Sequence, residues 1–236
     1  MAYRQLLFNI FFGFVMILIG CSENNVPVEN DFLIKSSHIL ITENEFLDEL
    51  DLKRSAYPYN IKESPEEYNQ LVVSLVKMLV EETILLTAAA EKNITVNAAE
   101  LEAAEAEFKK DYPEDSFEQL LLKNAIPYPF WLKRFKKQMI MEKLIQQELR
   151  NTIEIGPDDI IAFYQENQHA QNSKNAAGGS VIQKIENEKE LVNRLKYKKT
   201  QELYDIWLQD LVKKHPVEIN DKGIKAFLIE TGSNKE

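Results

Sequence analysis

Glycine is scarce and unevenly distributed in this chain of 236 residues, which contains only seven. After Gly13 and Gly20 the next glycine is Gly156, so residues 21–155 contain none. Phosphate-binding loops of the G-x-G-x-x-G and G-x-x-x-x-G-K-S/T types cannot be written anywhere, which excludes both kinds of nucleotide site. So long a stretch without glycine is typical of a helical core. We therefore predict an all-α fold with at most a short β arm near the N-terminus.

Cysteine, histidine and net charge exclude further classes of chemistry. The only cysteine, Cys21, rules out intramolecular disulfides and metal sites built from several thiolates. The three histidines are scattered, and paired carboxylates lie at helix starts or on helix faces, where a role in the helix dipole accounts for most of them. A net charge of −10 argues against nucleic-acid binding. We expect no catalytic residues, no metal and no cofactor, so the chain is predicted not to be an enzyme.

The first 21 residues differ in composition from the rest of the chain. Arg4 precedes an almost wholly apolar run over residues 6–19, which is too short to span a bilayer and is followed by Gly20-Cys21. This segment resembles a bacterial lipoprotein signal peptide. The resemblance implies a signal peptide over residues 1–20, acylation of Cys21 on its sulfur and its new amine, as in palmitate-bearing lipoproteins, and a flexible tether over residues 21–31. Ser22 in place of aspartate favours the outer membrane. An uncleaved anchor helix is the alternative.

Helix start signals are frequent in the rest of the chain. Four segments have the form of a capping box, a polar N-cap residue followed three residues later by glutamate: Thr42–Glu45, Ser64–Glu67, Asn97–Glu100 and Asp115–Glu118. The helix after Ser64 is apolar on every side in its middle, which predicts the central helix of the domain. Two short apolar runs, at 32–34 and 39–41, predict a small hairpin or an extended arm.

Composition changes twice in the second half of the chain. A basic helix is predicted from about Tyr128 to Arg150, whereas residues 167–180 are polar and contain Gly178-Gly179, which is typical of a linker. A long charged helix follows over about 183–214, and its second half carries one apolar stripe. Because such a stripe must be buried, we predict that the C-terminal helix folds back on the first domain, with a second copy of the chain as the alternative partner.

Four motifs follow one another in a recognisable order. They are the turn 93–96 before an acidic helix, a short helix with Phe117, the string LIQQELR in the basic helix, and an ending of the form I-x-x-x-x-I-x-x-x-Y-x-x-N at Asn167. This order is similar to that in the N-terminal chaperone domain of the SurA/PrsA family of periplasmic and extracytoplasmic foldases. It implies a SurA N-terminal-like domain over residues 32–168, closed by the C-terminal helix within residues 183–236.

The family's prolyl isomerase domain has no room in this chain. It commonly follows the helix that ends in Y-x-x-N, yet residues 169–182 form only a linker in its place. The segment Ser37-His38-Ile39-Leu40 mimics the opening strand of such a domain, but a helix start follows at once and no closing strand appears. The resemblance therefore implies a chaperone core without its catalytic insert.

The function implied is that of a lipid-anchored, ATP-independent chaperone on the periplasmic side of the envelope, at the outer membrane. Its partners would be unfolded or partly folded envelope and outer-membrane proteins, with no nucleic acid and no nucleotide. The alternative is a non-catalytic lipoprotein subunit of an envelope assembly complex with one dedicated protein partner.

Client binding needs an apolar, adaptable surface, which aromatic and methionine side chains provide best. The richest set lies on the basic helix and comprises Tyr128, Phe130, Trp131, Phe135, Met139 and Met141. Ordinary core packing is the alternative for Trp131, Phe135 and Met139. Tyr128 and Phe130 lie beside Pro127 and Pro129 and are the better candidates for exposure.

Overall fold

The structure is a computed structural model, and it describes residues 32–113, 116–163, 165 and 188–231. The predicted signal peptide, the lipidation site Cys21, the tether over 21–31 and the linker over 169–182 lie outside these residues. The described part consists of helices and one small three-stranded sheet, which confirms the predicted fold class.

The N-terminal elements are strands β1 (Phe32–Lys35) and β2 (Leu40–Thr42), helix α1 (Glu43–Arg54) and a 3₁₀ turn at Ile61–Glu63. Four helices follow: α2 (Pro65–Glu91), α3 (Ala98–Lys109), α4 (Ser116–Lys123) and α5 (Tyr128–Glu148). A 3₁₀ turn at Arg150–Thr152 leads to a short helix, α6, over residues 157–163. The C-terminal elements are α7 (Glu188–Lys214), β3 (Glu218–Ile219) and α8 (Asp221–Lys225).

Helix α2 is the centre of the fold, as its apolar pattern predicts. Residues 83–89 of this helix are all buried, so no side of it faces solvent there. Its N-terminal half contributes to a first core with the sheet and α1, whose buried members are Leu33, Ile34, Ile41, Phe46, Leu50, Ile61, Tyr68, Leu71, Val72, Leu75 and Leu79. Its C-terminal half forms a second core with α5 and α7, made of Ile84, Leu85, Ala88, Ala89, Ile94, Leu144 and Leu211. Ala88 and Ala89 are fully buried, and such small side chains let neighbouring helices approach closely.

Two of the predicted capping boxes are confirmed. At the start of α1, the Glu45 N–H donates to Thr42 Oγ1 over 3.3 Å and the Thr42 N–H donates to Glu45 Oε2 over 3.2 Å. Asn97 and Glu100 make the same reciprocal pair at the start of α3, at 3.0 and 2.9 Å. Each capping box satisfies two backbone N–H groups within four consecutive residues, so its hydrogen bonds do not depend on tertiary contacts.

The predicted capping box at Ser64 is wrong. The Ser64 side chain makes no capping hydrogen bond, although Pro65 does occupy the first helical turn as expected. Ser64 closes the preceding 3₁₀ turn through its own N–H to the Ile61 carbonyl, and its backbone lies at φ −110° and ψ 82°. A residue before proline is excluded from the α region, and here the turn also sets its orientation. The fourth predicted box begins at Asp115, outside the described residues.

The C-terminal residues return to the start of the chain. Strand β3 pairs antiparallel with β1, with Ile34 opposite Ile219, so the sheet has the order β2-β1-β3. Phe227 then packs against Phe46 of α1, with ring centroids 4.8 Å apart. A Cβ atom on Gly223 would lie 2.5 Å from Leu33 Cδ2, the end of a buried side chain that would have to shift to make room. The long C-terminal helix thus closes the fold, and the strand after it completes the sheet.

Candidate functional site

The connection between α4 and α5 positions the predicted binding residues. Helix α4 ends at Lys123 and is followed by Ala125, which has a left-handed backbone at φ 53°, and the Ile126 N–H donates to the Leu121 carbonyl over 2.9 Å. This is the Schellman arrangement that commonly ends a helix. Pro127 and the first turn of α5 follow, and the Trp131 N–H donates to the Pro127 carbonyl over 3.0 Å. The turn therefore fixes where the aromatic first half of α5 begins.

Six aromatic rings from three neighbouring segments form one cluster. Trp131 and Phe135 lie one turn apart on α5 and stack at 5.1 Å with an interplanar angle of 11°. Phe117 of α4 meets Trp131 edge-on at 4.8 Å. The other members are Phe108, Tyr112 and Tyr128, with ring centroids 5.5 to 6.0 Å from their neighbours. We call these six residues the aromatic cluster. It is buried at Phe117 and open to solvent at Tyr128, which is 40% exposed.

A lysine lies across the solvent side of the aromatic cluster. Lys109 Nζ is 4.9 Å from the Phe117 ring centroid and 5.2 Å from that of Tyr128, and it bridges Glu105 and Glu118 at 2.9 and 3.0 Å. The hydrogen bonds to Glu105 and Glu118 raise the pKa of Lys109. The Tyr128 hydroxyl donates to Glu105 over 2.6 Å, and this bond raises the pKa of Tyr128. These contacts hold the exposed ring of Tyr128 in a fixed orientation.

Ion pairs fasten α5 to α1 and α2. Arg134 contacts the buried carboxylate of Glu49 on α1 and reaches Glu82 on α2 at 3.4 Å. Lys133, the preceding residue, bonds Glu45 of α1 at 2.5 Å. Burial raises the pKa of Glu49, and this effect exceeds the opposing influence of Arg134. These ion pairs fix the position of α5 against α1 and α2, but they do not fill the space on either side of α5.

An open groove runs along the outer face of α5 beyond the aromatic cluster. It has a volume of about 380 Å³ and is lined by Phe135, Gln138, Met139, Glu142, Lys143, Gln146 and Gln147. We call it the α5 groove. Unbranched side chains such as methionine and glutamine change conformation easily, so this wall can adapt to differently shaped apolar groups.

A larger cavity lies on another side of the first turns of α5. It has a volume of about 610 Å³ and lies between the end of α1, the loop Tyr57-Pro58-Tyr59 and the α4–α5 connection. We call it the YPY cavity. Its walls are Asp48, Asp51, Leu52, Arg54, Ser55, Tyr57, Pro58, Tyr59, Asn124, Ala125, Ile126, Pro127 and Phe130. Tyr59 is 99% exposed, which is unusual for so large a ring in a folded domain.

The structure divides the residues predicted for client binding into three groups. Tyr128, Trp131 and Phe135 join the aromatic cluster, and Met139 continues along the α5 groove. Phe130 instead lines the YPY cavity. Met141 is partly buried and packs against the second core, so it does not meet the others.

Sequence reasoning missed the parts of these surfaces that come from other elements. Phe108, Tyr112 and Phe117 complete the aromatic cluster, and Tyr57 and Tyr59 line the YPY cavity. The four-residue spacing of Phe108 and Tyr112 is a helical signal for one shared face. Pro58 favours a turn, so it could have indicated the exposed loop at Tyr57-Pro58-Tyr59.

The described residues contain no arrangement that suggests metal chemistry. Within residues 32–113, 116–163 and 188–231, no group of three or more His, Cys, Asp or Glu side chains is placed to hold a metal ion. In that same part of the chain, none of the helices is both long enough and apolar enough to cross a bilayer.

Comparison with known proteins shows a distant structural likeness. No protein-family model matches the chain, and no curated protein sequence matches it significantly. The chain is similar to a solved structure from Campylobacter jejuni, where the virulence factor PEB4 and the periplasmic protein Cj1289 are described as two structurally related SurA-like chaperones. The likeness covers 81% of this chain and 100% of that chain, with 14% sequence identity and a TM-score of 0.49. At this level it carries no information about activity or partners.

Proposed function

We propose that this protein is a lipid-anchored, ATP-independent chaperone that binds unfolded or partly folded envelope proteins on the periplasmic side of the outer membrane. Its clients are outer-membrane proteins and other envelope proteins that have not yet folded. The chain holds them without prolyl isomerase activity and without a nucleotide.

The observation that carries this proposal is the pair of uncovered surfaces beside α5, a cavity and a shallow groove. The YPY cavity and the α5 groove, of about 610 and 380 Å³, remain open while the two cores on either side of them are closely packed. Both volumes fall in or near the range of binding pockets, about 300–1,000 Å³. Their walls combine aromatic rings with flexible side chains, which suits apolar segments of varied shape.

The lipid anchor is supported by the sequence of the first 21 residues. The apolar run, Gly20 and the chain's single cysteine together have the arrangement of a lipoprotein signal. Two or three acyl chains would hold the protein stably at a membrane, where a single chain would bind only marginally. Metabolic labelling with radioactive palmitate is expected to mark the wild-type protein and to miss a Cys21→Ser variant. Equal labelling of both would contradict the anchor.

The absence of isomerase activity is supported by the length of the linker. Residues 169–182 leave no space for a further domain between the two parts of the chain. We expect no acceleration of cis–trans exchange in a proline-containing test peptide. Turnover above the uncatalysed rate would contradict this part of the proposal.

Suppression of client aggregation tests the chaperone role directly. An outer-membrane protein diluted from urea is mixed with the chain from residue 21 onward, carrying Cys21→Ser, and light scattering is followed with and without ATP. We expect suppression at stoichiometric amounts that ATP does not change. A chain with Tyr57→Ser and Tyr59→Ser should suppress less, whereas Tyr197→Ser, at an exposed tyrosine of α7, serves as the matched control. No suppression at a several-fold excess of the wild-type chain would refute the role.

A dedicated partner protein is the second candidate, and one surface of α7 favours it. Leu203 and Ile206 lie one turn apart on this helix and are 42% and 63% exposed. Adjacent exposed apolar side chains on a rigid helix suit a folded partner better than an unfolded one. Tight one-to-one capture of a folded protein, abolished by Ile206→Ser, would support this candidate, whereas weak binding to many unfolded chains would support the chaperone.

A further inference from the structure

One side chain of α2 holds the backbone of the segment that follows α8. Asn69 donates from Nδ2 to the Ile229 carbonyl over 2.8 Å, and the Ile229 N–H donates to Asn69 Oδ1 over 2.9 Å. Two residues of an antiparallel strand pair exchange the same two bonds. Because both groups at Ile229 belong to the backbone, Asn69 can bind any residue except proline in this way.

Few other contacts fix this segment. The N–H groups of Phe227 and Leu228 still donate within the turn that follows α8, so Ile229 is where the chain leaves that turn. Among the described residues, the two bonds to Asn69 are the only hydrogen bonds that residues 229–231 make. The Ile229 side chain packs against the first core but is only partly buried. One apolar side chain and one amide therefore seat this part of the chain.

An open groove lies on α2 around Asn69. It has a volume of about 430 Å³ and is lined by Thr231 and by one face of α2 from Glu66 to Lys77. Val73 lies in this groove one turn beyond Asn69 and is 44% exposed. We call it the Asn69 groove, and it shares no lining residue with the YPY cavity or the α5 groove. The chain's own segment thus fills this groove only in part.

We propose that the Asn69 groove binds an extended segment of another polypeptide, and that residues 229–231 occupy it as a built-in competitor. Asn69 pairs with the backbone of one residue of that segment, whose apolar side chain takes the place of Ile229, and the following residues cover Val73. The occupant is identified by the chain itself, because a stretch of polypeptide is already seated there through backbone bonds and one apolar side chain. The inference rests on the proposed chaperone function for the identity of the competing chain, an unfolded client.

The built-in segment sets the affinity of the groove for any other segment. It belongs to the same chain, so its effective concentration at the groove is on the order of millimolar. The apparent dissociation constant of an added peptide rises as the fraction of open groove falls. A change that weakens the seat of Ile229 without altering α2 should therefore strengthen the binding of an added peptide. If the contact were only structural, the same change would lower stability without creating a binding site.

Fluorescence anisotropy with a labelled peptide that copies residues 227–231, FLIET, tests this competition. The protein is the chain from residue 21 onward with Cys21→Ser. Ile229→Pro removes the N–H that pairs with α2 but leaves Phe227 in place on the first core, and circular dichroism can verify that the fold is kept. This variant should bind the peptide about ten-fold more tightly than the unsubstituted chain, because its own segment has lost a hydrogen bond and a partly buried side chain. Glu230→Ser, at the adjacent exposed residue, is the matched control and should leave the affinity unchanged.

Two altered peptides assign the binding to the groove without any change to the protein. A peptide methylated on the isoleucine nitrogen cannot donate to Asn69 and should bind the Ile229→Pro chain about five-fold more weakly. A peptide with serine in place of isoleucine keeps the backbone bonds but loses the apolar contact, and it should be weakened by a similar factor, about five-fold. Asn69→Ala, combined with Ile229→Pro, should abolish the difference between the methylated and unmethylated peptides.

The possible outcomes separate this inference from the chaperone role. An unfolded outer-membrane protein should displace the labelled peptide from the Ile229→Pro chain, and a client that leaves the peptide in place overturns the inference. Equal affinity of the unsubstituted and Ile229→Pro chains for the peptide also overturns it, as does equal binding of the methylated peptide. Suppression of aggregation by the same chain would then leave the chaperone role standing. The expected peptide affinities in a chain that fails to suppress aggregation support the groove and refute the chaperone role.

Discussion

The closure of the fold by α7 predicts a large loss of stability from one substitution, Leu211→Ala. Leu211 is 6% exposed and belongs to the second core, together with Ala88 of α2 and Leu144 of α5. Removing three carbons at about 0.8 kcal/mol each costs about 2.4 kcal/mol, and the cavity left behind adds to this. We expect a loss of about 3 kcal/mol in the free energy of unfolding.

The neighbouring residue provides a matched control for that substitution. Val212 follows Leu211 on the same helix but is 48% exposed, so Val212→Ala should change the free energy of unfolding by less than about 0.5 kcal/mol. Urea unfolding followed by circular dichroism measures both variants, and the midpoint should fall only for Leu211→Ala. A loss below about 1 kcal/mol for Leu211→Ala would refute the packing of α7 on the second core.

Three further predictions concern single sites. Gly223→Ala should destabilise the chain by about 1–3 kcal/mol in thermal unfolding, because its new Cβ would lie 2.5 Å from Leu33 Cδ2. Ala125→Gly should stabilise it by about 0.5–1 kcal/mol, since the left-handed backbone at this position, φ 53°, suits glycine; an unchanged urea midpoint would contradict this. The hydrogen bond from Lys143 lowers the pKa of Glu100, so this carboxylate stabilises the fold above its ordinary pKa and loses that effect as pH falls through its lowered pKa. Glu100→Gln, which preserves the capping box, should therefore destabilise the chain at pH 7 and have no effect near pH 2. Urea unfolding measures both, and an equal loss in the free energy of unfolding at the two pH values would exclude a role for the charge.

Local signals in the sequence are enough to predict the helices. The capping boxes at Thr42 and Asn97 are confirmed because each involves only four consecutive residues. The box at Ser64 fails because the preceding 3₁₀ turn, which the sequence does not reveal, already uses the backbone of that residue. The capping-box pattern thus predicts a helix start correctly unless a neighbouring element already uses the same backbone N–H group.

Contacts between distant residues could not be predicted in this way. The sequence indicates a brief extended segment around Ile219 but not that it pairs with Ile34 at the start of the fold. The close approach of Gly223 to the Leu33 side chain follows from the same pairing. Neither contact leaves a periodic pattern in the sequence, because each joins one short segment to another far along the chain.

The candidate site shows the same division between local and distant information. The rings of α5 at Trp131 and Phe135 were found from one helix, whereas their partners Phe108 and Phe117 come from two others. The separate position of Phe130 was within reach of sequence reasoning. Neighbouring residues on a helix differ by about 100° in direction, so Phe130 cannot share the face of Trp131.

The two halves of α5 are held by different interactions, and an open surface lies beside each of them: the YPY cavity beside the first half and the α5 groove along the second. The second half contributes Leu144 to the second core and is locked by close packing. The first half is held by its own stacked rings and by the ion pairs of Lys133 and Arg134, neither of which fills the space on its flanks. Because the rings of the aromatic cluster are already ordered by one another, they would lose little conformational entropy when a segment binds beside them. Under the proposed function, affinity then depends on how well a segment fills the YPY cavity and the α5 groove, and of the aromatic cluster only Phe135, which also lines the groove, should affect sequence selectivity.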